Sequence, residues 1–174
     1  MASVKVVTAA NEIEQSISDQ ARAADLFDDR AVVVARINGE LRDLATPLAD
    51  GDVVEPVTID SDEGRAVLRH STAHVMAQAV QDLFPGTKLG IGPPIKDGFY
   101  YDFELPGGRT FNEDDLGLID GRMREIIKAD QPFVRDELPA AEALDVFAEQ
   151  PYKREIIERV STGAADDDDS GEIG

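Results

Sequence analysis

Two histidines, two tyrosines and one lysine are the residues of this chain whose types and spacing could do chemistry. His70 and His74 are its only histidines, and at i,i+4 on a helix their rings address one volume about one turn apart. Imidazole titrates near neutrality, so such a pair can orient water, bind a hydroxyl or hold a metal ion. The pair can equally be two polar residues at the border of a helix face, bonded to a neighbour's backbone. An isolated HxxxH recurs by chance and needs a third ligand to make a metal site. Tyr100 and Tyr101 alternate across an extended segment, one toward the core and one away from it. They read as a pair of sheet aromatics or as a hydroxyl near the histidines. Lys153 follows Pro151-Tyr152 at a helix start. It either lends positive charge to an anionic intermediate or is a solvated lysine, and residue type alone favours the latter. Gly90-Ile91-Gly92 and Gly107-Gly108 do not open a helix as a phosphate loop must, and read as turns.

The elements that must position these residues follow from periodicity. A helix is predicted over Leu68–Phe84, stopped by Pro85-Gly86. At about 100° per residue it gathers Val75, Met76, Ala79, Val80 and Leu83 on one apolar sector, with both histidines at its edge. Lys88–Ile91 and Phe99–Phe103 read as strands joined by a loop in which Asp97-Gly98 marks the turn. Asn112 caps a second helix with the apolar stripe Leu116, Ile119, Met123, Ile126 and Ile127, ended by Gln131-Pro132. Phe133–Leu138 reads as a strand, and Ala140–Glu149 and Tyr152–Val160 as two short helices, Pro139 standing where the first begins. Helices laid on an antiparallel sheet are the implied layout.

Upstream, Val4–Val7 reads as a strand and Ile13–Leu26 as a short amphipathic helix. The β-branched run 31–37 meets the hairpin signal Asn38-Gly39 before Glu40-Leu41. A further strand over Val53–Ile59 is interrupted at Pro56. This is a small α+β unit over residues 1–62, with the acidic stretch Asp60–Gly64 as linker to a second α+β unit over 63–160. Residues 161–174 carry four consecutive aspartates at 166–169 and little to pack, as a disordered or exposed tail does.

A net charge of -19 is spread over all three segments. It argues against tight binding to a phosphate backbone, where affinity comes from Lys and Arg displacing counterions. The chain has no cysteine, which excludes disulfides and leaves any metal site to His70, His74 and carboxylates; no metal is expected. No window reaches the roughly 20 apolar residues of a membrane helix, so no membrane association and a cytoplasmic location are expected.

One set of motifs does more than composition can. Arg69-His70-Ser71-Thr72-Ala73-His74, then Ala77-Gln78-Ala79-Val80, Leu83-Phe84-Pro85, Ile91-Gly92-Pro93-Pro94-Ile95, Asp97-Gly98-Phe99-Tyr100-Tyr101-Asp102-Phe103 and Pro151-Tyr152-Lys153 resemble, in order and spacing, the editing domain of bacterial threonyl-tRNA synthetases. The resemblance covers residues 65–160. More weakly marked, residues 31–59 look similar to the ubiquitin-like β-grasp (TGS) domain that precedes it in that family. The resemblance implies a threonine–tRNA ligase whose editing part hydrolyses mischarged seryl-tRNA. It makes His70, His74 and Lys153 catalytic and Tyr101 substrate-binding, with the tRNA acceptor end as partner.

The family's site also uses a Cys-x-x-x-His segment that this chain lacks, so the resemblance implies an N-terminal piece with an incomplete editing domain, weakly stable and inactive alone. ATP, magnesium and a zinc ion, and the homodimer interface, belong in the family to an aminoacylation core that is absent here; no cofactor is expected within this chain. The physical need for editing is plain: one methyl distinguishes threonine from serine, worth only roughly 1–3 kcal/mol in a pocket. Two rival readings remain, a stand-alone binding or regulatory module with an inactive editing-like domain, and a deacylase acting in trans.

Overall fold

A computed structural model describes residues 2–163 apart from Pro93, Lys96, Pro132, Phe133 and Arg135. Its architecture is α+β, and the chain divides into two compact units, residues 1–69 and 70–174. In the first, strands β1 (Ala2–Val7), β2 (Glu12–Ile17), β3 (Val32–Ile37), β4 (Glu40–Arg42) and β5 (Val53–Thr58) form one mixed sheet in the order β2-β1-β5-β3-β4. β1 and β5 run parallel at its centre, and the other neighbours are antiparallel. The predicted hairpin turn forms: Asn38 and Gly39 both adopt positive φ, 52° and 89°, as a type I′ turn requires. The Asn38 carboxamide also accepts the Val53 N–H at 2.9 Å and donates to Asp52 at 2.8 Å. The alternation of β1 buries Val4 and Val6 against Ala35, Ile37, Leu48 and Val54. Each fully buried valine contributes about 1.5–3 kcal/mol by leaving water.

Three expectations for this region are corrected. The segment predicted as a helix from Ile13 to Leu26 is instead β2 followed by a 3₁₀ turn over Ala23–Leu26. Ile13 and Ile17 share a face at a spacing of four in a strand as well as in a helix. The choice goes to the strand because Thr8 and Asn11 close a hairpin, with the Thr8 N–H on the Asn11 carbonyl at 2.9 Å. Pro56 does not interrupt β5: β1 pairs only as far as Val54, so the missing N–H falls where β5 has β3 alone as neighbour. The supposed linker Asp60–Gly64 is a turn and the start of helix α1 (Asp62–Leu83), which therefore begins six residues before Leu68. Ser61 Oγ accepts the Gly64 N–H at 3.0 Å and Asp62 and Glu63 suit the positive end of the helix dipole. A Cβ on Gly64 would stand 2.0 Å from the Thr58 carbonyl oxygen, so this residue is a close-approach glycine.

The second unit is built on the rest of α1, the short strands β6 (Lys88–Leu89), β7 (Pro94–Ile95), β8 (Gly98–Phe99) and β9 (Phe103–Glu104), and helices α2 (Glu113–Lys128), α3 (Ala140–Val146) and α4 (Pro151–Ser161). β6 pairs with β9 and β7 with β8, both antiparallel. Of the predicted strand Lys88–Ile91 only Lys88–Leu89 forms, Phe99–Phe103 is strand only at its two ends, and β7 lies in the segment read as the joining loop; the four short strands make one long hairpin whose arms are broken in the middle. The break is a local kink at which Gly90 and Ile91 both bond to Asp102: the Gly90 N–H donates to the Asp102 carbonyl at 2.8 Å, and the Asp102 N–H to that of Ile91 at 3.0 Å. Ala79, Val80, Leu105, Ile119 and Ile126 form the core, with Val75, Met76, Leu83, Phe103, Phe111 and Met123 packed on it.

Asn112 caps α2 as expected, exchanging two 3.0 Å bonds with Asp115. The apolar stripe of α2 is only half covered: Ile119 and Ile126 are buried, whereas Leu116 and Ile127 are 58% and 63% exposed. α3 stops at Val146, three residues short of expectation. Of the expected strand Phe133–Leu138, Phe133 and Arg135 lie outside the described residues, and Val134 and 136–138 form no ladder. α4 includes Ser161, and the expected tail beyond Gly163 lies outside the described residues.

Candidate functional site

Four of the five residues singled out by type and spacing come together as two pairs, Tyr100 being the exception. His70 and His74, half-buried on α1, stand edge to face with ring centroids 4.5 Å apart and planes inclined by 69°. Their Nε2 atoms lie 2.8 Å apart, so one ring donates an Nε2–H to the other's lone pair. The bond has a chemical consequence: with both Nε2 atoms committed to one proton, the pair can relay that proton or give it to a bound hydroxyl. It cannot offer both Nε2 atoms to a metal while the bond persists. Among the described residues there is no group of three His, Cys, Asp or Glu that could hold a metal ion.

Lys153 and Tyr101 form the second pair. Lys153 is not the solvated lysine that residue type favours: it is 6% exposed, because α4 turns Lys153 and Ile157 inward at a spacing of four. Its Nζ lies 6.0 Å from the centre of the Tyr101 ring, at the outer limit of a cation–π contact. Burial lowers the amine's pKa below that of an ordinary lysine, since the charged form loses its water. The Tyr101 hydroxyl is pushed up for the same reason. Tyr101 turns inward and stacks on Phe103 at 4.8 Å with planes 18° apart, while Tyr100 is half exposed, as alternation along a strand requires.

Three residues that support the pairs escaped sequence reasoning. Gly92 is no turn: a Cβ there would meet the Tyr101 ring at 2.2 Å, so the ring occupies the space that any side chain would need. Gly90 is likewise held against Asp102, with a Cβ contact of 2.9 Å. A glycine inside a strand pattern signals such an approach. Gly107 and Gly108, by contrast, are turn residues at φ 73° and 69°, as expected. Gln150, ahead of α4, accepts the Leu89 N–H at 2.8 Å and donates to the Thr87 carbonyl at 3.2 Å; nothing in its sequence context announces this. Thr87, 1% exposed, in turn donates its hydroxyl to the Phe84 carbonyl at 2.6 Å.

A cavity of about 310 Å³ opens between the β6–β9 hairpin and α4, lined by Ile91, Phe103, Tyr152 and Ile156 together with Asp102 and Glu155. It lies on the face of α4 that carries Tyr152 and Ile156 rather than Lys153, and none of the four candidate residues lines it. Three carboxylates, Asp102, Glu104 and Glu155, line it against the single cation of Arg159.

Comparison with known proteins gives a consistent relationship. No family model matches the chain. The chain is 52% identical over 163 residues to a protein of Parafrankia sp. (strain EAN1pec) named threonine–tRNA ligase, an alignment covering 92% of this chain and 24% of that protein. Proteins of the same name from Nocardioides sp. (strain ATCC BAA-499 / JS614) and Thermobifida fusca (strain YX) are 53% and 57% identical, over 87% and 80% of this chain and 23% and 21% of theirs. The chain spans about a quarter of the length of the curated relatives it matches.

Proposed function

We propose, since this chain is a relative of the N-terminal region of threonine–tRNA ligases, that its second unit carries part of the site that hydrolyses seryl-tRNA in threonyl-tRNA synthesis. The observation that carries the reading is the buried amine of Lys153 set against Tyr101, with a hydrogen-bonded histidine pair on α1. A surface lysine would be fully charged and hydrated. An amine whose pKa burial has lowered is closer to exchanging a proton at neutral pH.

In this reading the ester carbon of the seryl group is attacked by water, and Lys153 either takes the water's proton or, as ammonium, faces the oxyanion that forms. Collapse of that intermediate breaks the ester C–O bond and returns a proton to the ribose oxygen. The histidine pair holds the neighbouring ribose hydroxyl or the water through its shared proton. Tyr101 walls the pocket, which excludes threonine's extra methyl by space rather than by attraction.

The first unit, with its sheet order β2-β1-β5-β3-β4 and central parallel pair, supports the ubiquitin-like TGS reading. The acceptor end of threonine tRNA is the partner. ATP, magnesium and zinc, and the dimer interface, belong to the aminoacylation core beyond this region. Among the described residues no helix is long and apolar enough to cross a membrane, and cytoplasmic translation is the setting.

The test is hydrolysis of seryl-tRNA specific for threonine by this chain and by the chain extended through the Cys-x-x-x-His segment, with threonyl-tRNA as control. We expect the extended form to hydrolyse the seryl ester and Lys153→Ala to abolish that hydrolysis. Hydrolysis undiminished by Lys153→Ala, or absent from the extended form, would sink the reading.

A further inference from the structure

The carboxamide of Gln150 occupies the place of a missing strand. Among the described residues β6 has β9 on one side only, which leaves the Thr87 carbonyl and the Leu89 N–H on its other edge to be satisfied by something else. Gln150 satisfies both: Oε1 accepts from Leu89 at 2.8 Å and Nε2 donates to Thr87 at 3.2 Å. The orientation of the amide is fixed by these partners, because the flipped form would set N–H against N–H and C=O against C=O.

The same residue begins α4. Its own carbonyl accepts the Arg154 N–H at 3.1 Å, and its N–H donates to the Phe147 carbonyl at 2.9 Å. Backbone and side chain of one residue thus tie the first turn of α4 to the edge of β6, and Lys153 stands three residues further on in that turn. The tie reaches further through Thr87, whose hydroxyl and N–H both donate to the Phe84 carbonyl just past the end of α1, at 2.6 and 3.1 Å. Two more bonds fasten the same corner: the Lys88 amine donates to the Glu149 carbonyl at 2.7 Å, and the Tyr152 hydroxyl to Glu104. Both are exposed and open to competition from water, whereas the Gln150 bonds are partly buried and cost more to lose.

We infer that Gln150 is a positioning residue, which seats the Lys153 amine against Tyr101 by bonding the first turn of α4 to the open edge of β6. Its functional meaning rests on the editing reading above, but its physical content does not. The experiment therefore follows the amine itself. In this 174-residue chain, acetylation of Lys153 by N-hydroxysuccinimidyl acetate is followed against pH by peptide mass spectrometry, with the exposed Lys128 as internal standard. Gln150→Met keeps the length and volume of the side chain and removes both bonds. The expected result is a labelling midpoint for Lys153 that moves up in pH, with faster labelling at saturating pH as water reaches the amine. Tyr152→Phe, which removes only the exposed bond on the same turn, leaves both unchanged.

A folded Gln150→Met chain whose Lys153 labels as in the parent would overturn the inference. So would loss of folding in Gln150→Met while Lys153→Met folds, for Gln150 would then be holding the unit and not the amine. In the extended enzyme the same variant should lower kcat for seryl-tRNA hydrolysis with KM unchanged. A shifted labelling curve with no hydrolysis in any form would leave the positioning role standing and remove the editing reading.

Discussion

Replacing Gly92 by alanine places a methyl carbon where the ring of Tyr101 already stands. The added Cβ would lie 2.2 Å from Cδ2 and 2.7 Å from both Cε2 and Cγ, whereas carbon atoms in contact rest at about 3.5–4.0 Å. The ring would have to retreat by on the order of 1 Å or more. It is stacked on Phe103, which packs edge-on against Phe111, which in turn meets Phe84, so the displacement is passed into the aromatic part of the core. Overpacking of this kind costs about 1–3 kcal/mol. For a unit of roughly 100 residues, each kcal/mol lowers Tm by about 4–8 °C. Gly92→Ala should therefore lower the Tm of the second unit by roughly 4–24 °C, and should raise the pH at which Lys153 is labelled, because a displaced ring admits water to the amine. Calorimetry of the variant beside Gly121→Ala, whose added methyl meets nothing, separates the clash from a general effect of the substitution. A Gly92→Ala chain that unfolds at the parent temperature would refute the reasoning, since the ring would then have moved at no cost.

Other predictions follow from groups elsewhere in the unit and from the charge of Lys153. Asp115, buried at the start of α2, has its pKa held below the usual carboxylate range by the Arg109 guanidinium and then by the Asn112 N–H. A depressed carboxylate contributes stability that is complete above its unfolded pKa and fades as pH falls through the folded one; Asp115→Asn should flatten the acid limb of Tm against pH below about 4, and an unchanged limb would count against the pair. Gly117 and Gly121 lie inside α2, and neither would meet an obstacle as alanine. Each change should add about 0.5–1 kcal/mol, read as a rise in Tm, and a fall in Tm would show that something approaches these glycines. Lys153 gives a slope of the same sign as Asp115 but at higher pH: its pKa is lowered by burial, so the unfolded chain binds more protons and stability rises with pH from the folded pKa up to that of an ordinary lysine, the penalty of burying the charged amine being lifted. Lys153→Met should remove that rise while keeping the unit folded, and its persistence in the variant would assign it to another group.

Much of the second unit was legible because its signals are local. Pro85-Gly86 after an apolar sector, Asn112 before an acidic turn, and the i,i+4 histidines each state their meaning within a few residues. The first unit was read less well where a short-range pattern fits two structures. Ile13 and Ile17 satisfy both periods, and only the pairing of β2 with β1 decides between them. Pro56 reads as a break until the length of its neighbour is known. Within the site the histidines were placed correctly at the edge of the apolar face, but their bond to each other depends on rotamers that no spacing specifies. Lys153 was misjudged by the same logic that usually succeeds. Lysine is rarely buried, and what holds its helix turn in place is non-local, the bonds of Gln150 to Leu89 and Thr87, 61 and 63 residues before Gln150.

That failure is informative about the site itself. A sequence in which every local preference agrees with the fold reads easily, and places where a local rule is broken are expected at working residues. Burying an amine with an aromatic ring as its nearest described partner costs stability that an apolar side chain would not cost. The second unit bears this cost at Lys153 and spends three separate hydrogen-bonded contacts on the corner that presents it. Leu116 and Ile127 offer a contrast: they too break the rule for their type, being apolar and exposed, yet no polar network holds them in place. An organised surround distinguishes a residue positioned for chemistry from one that is merely uncovered. By that measure Lys153 and Tyr101, with Gly92 and Gln150 behind them, are the most organised part of this unit, and on the editing reading proposed above the hydrogen-bonded pair His70 and His74 is the second group to serve the reaction.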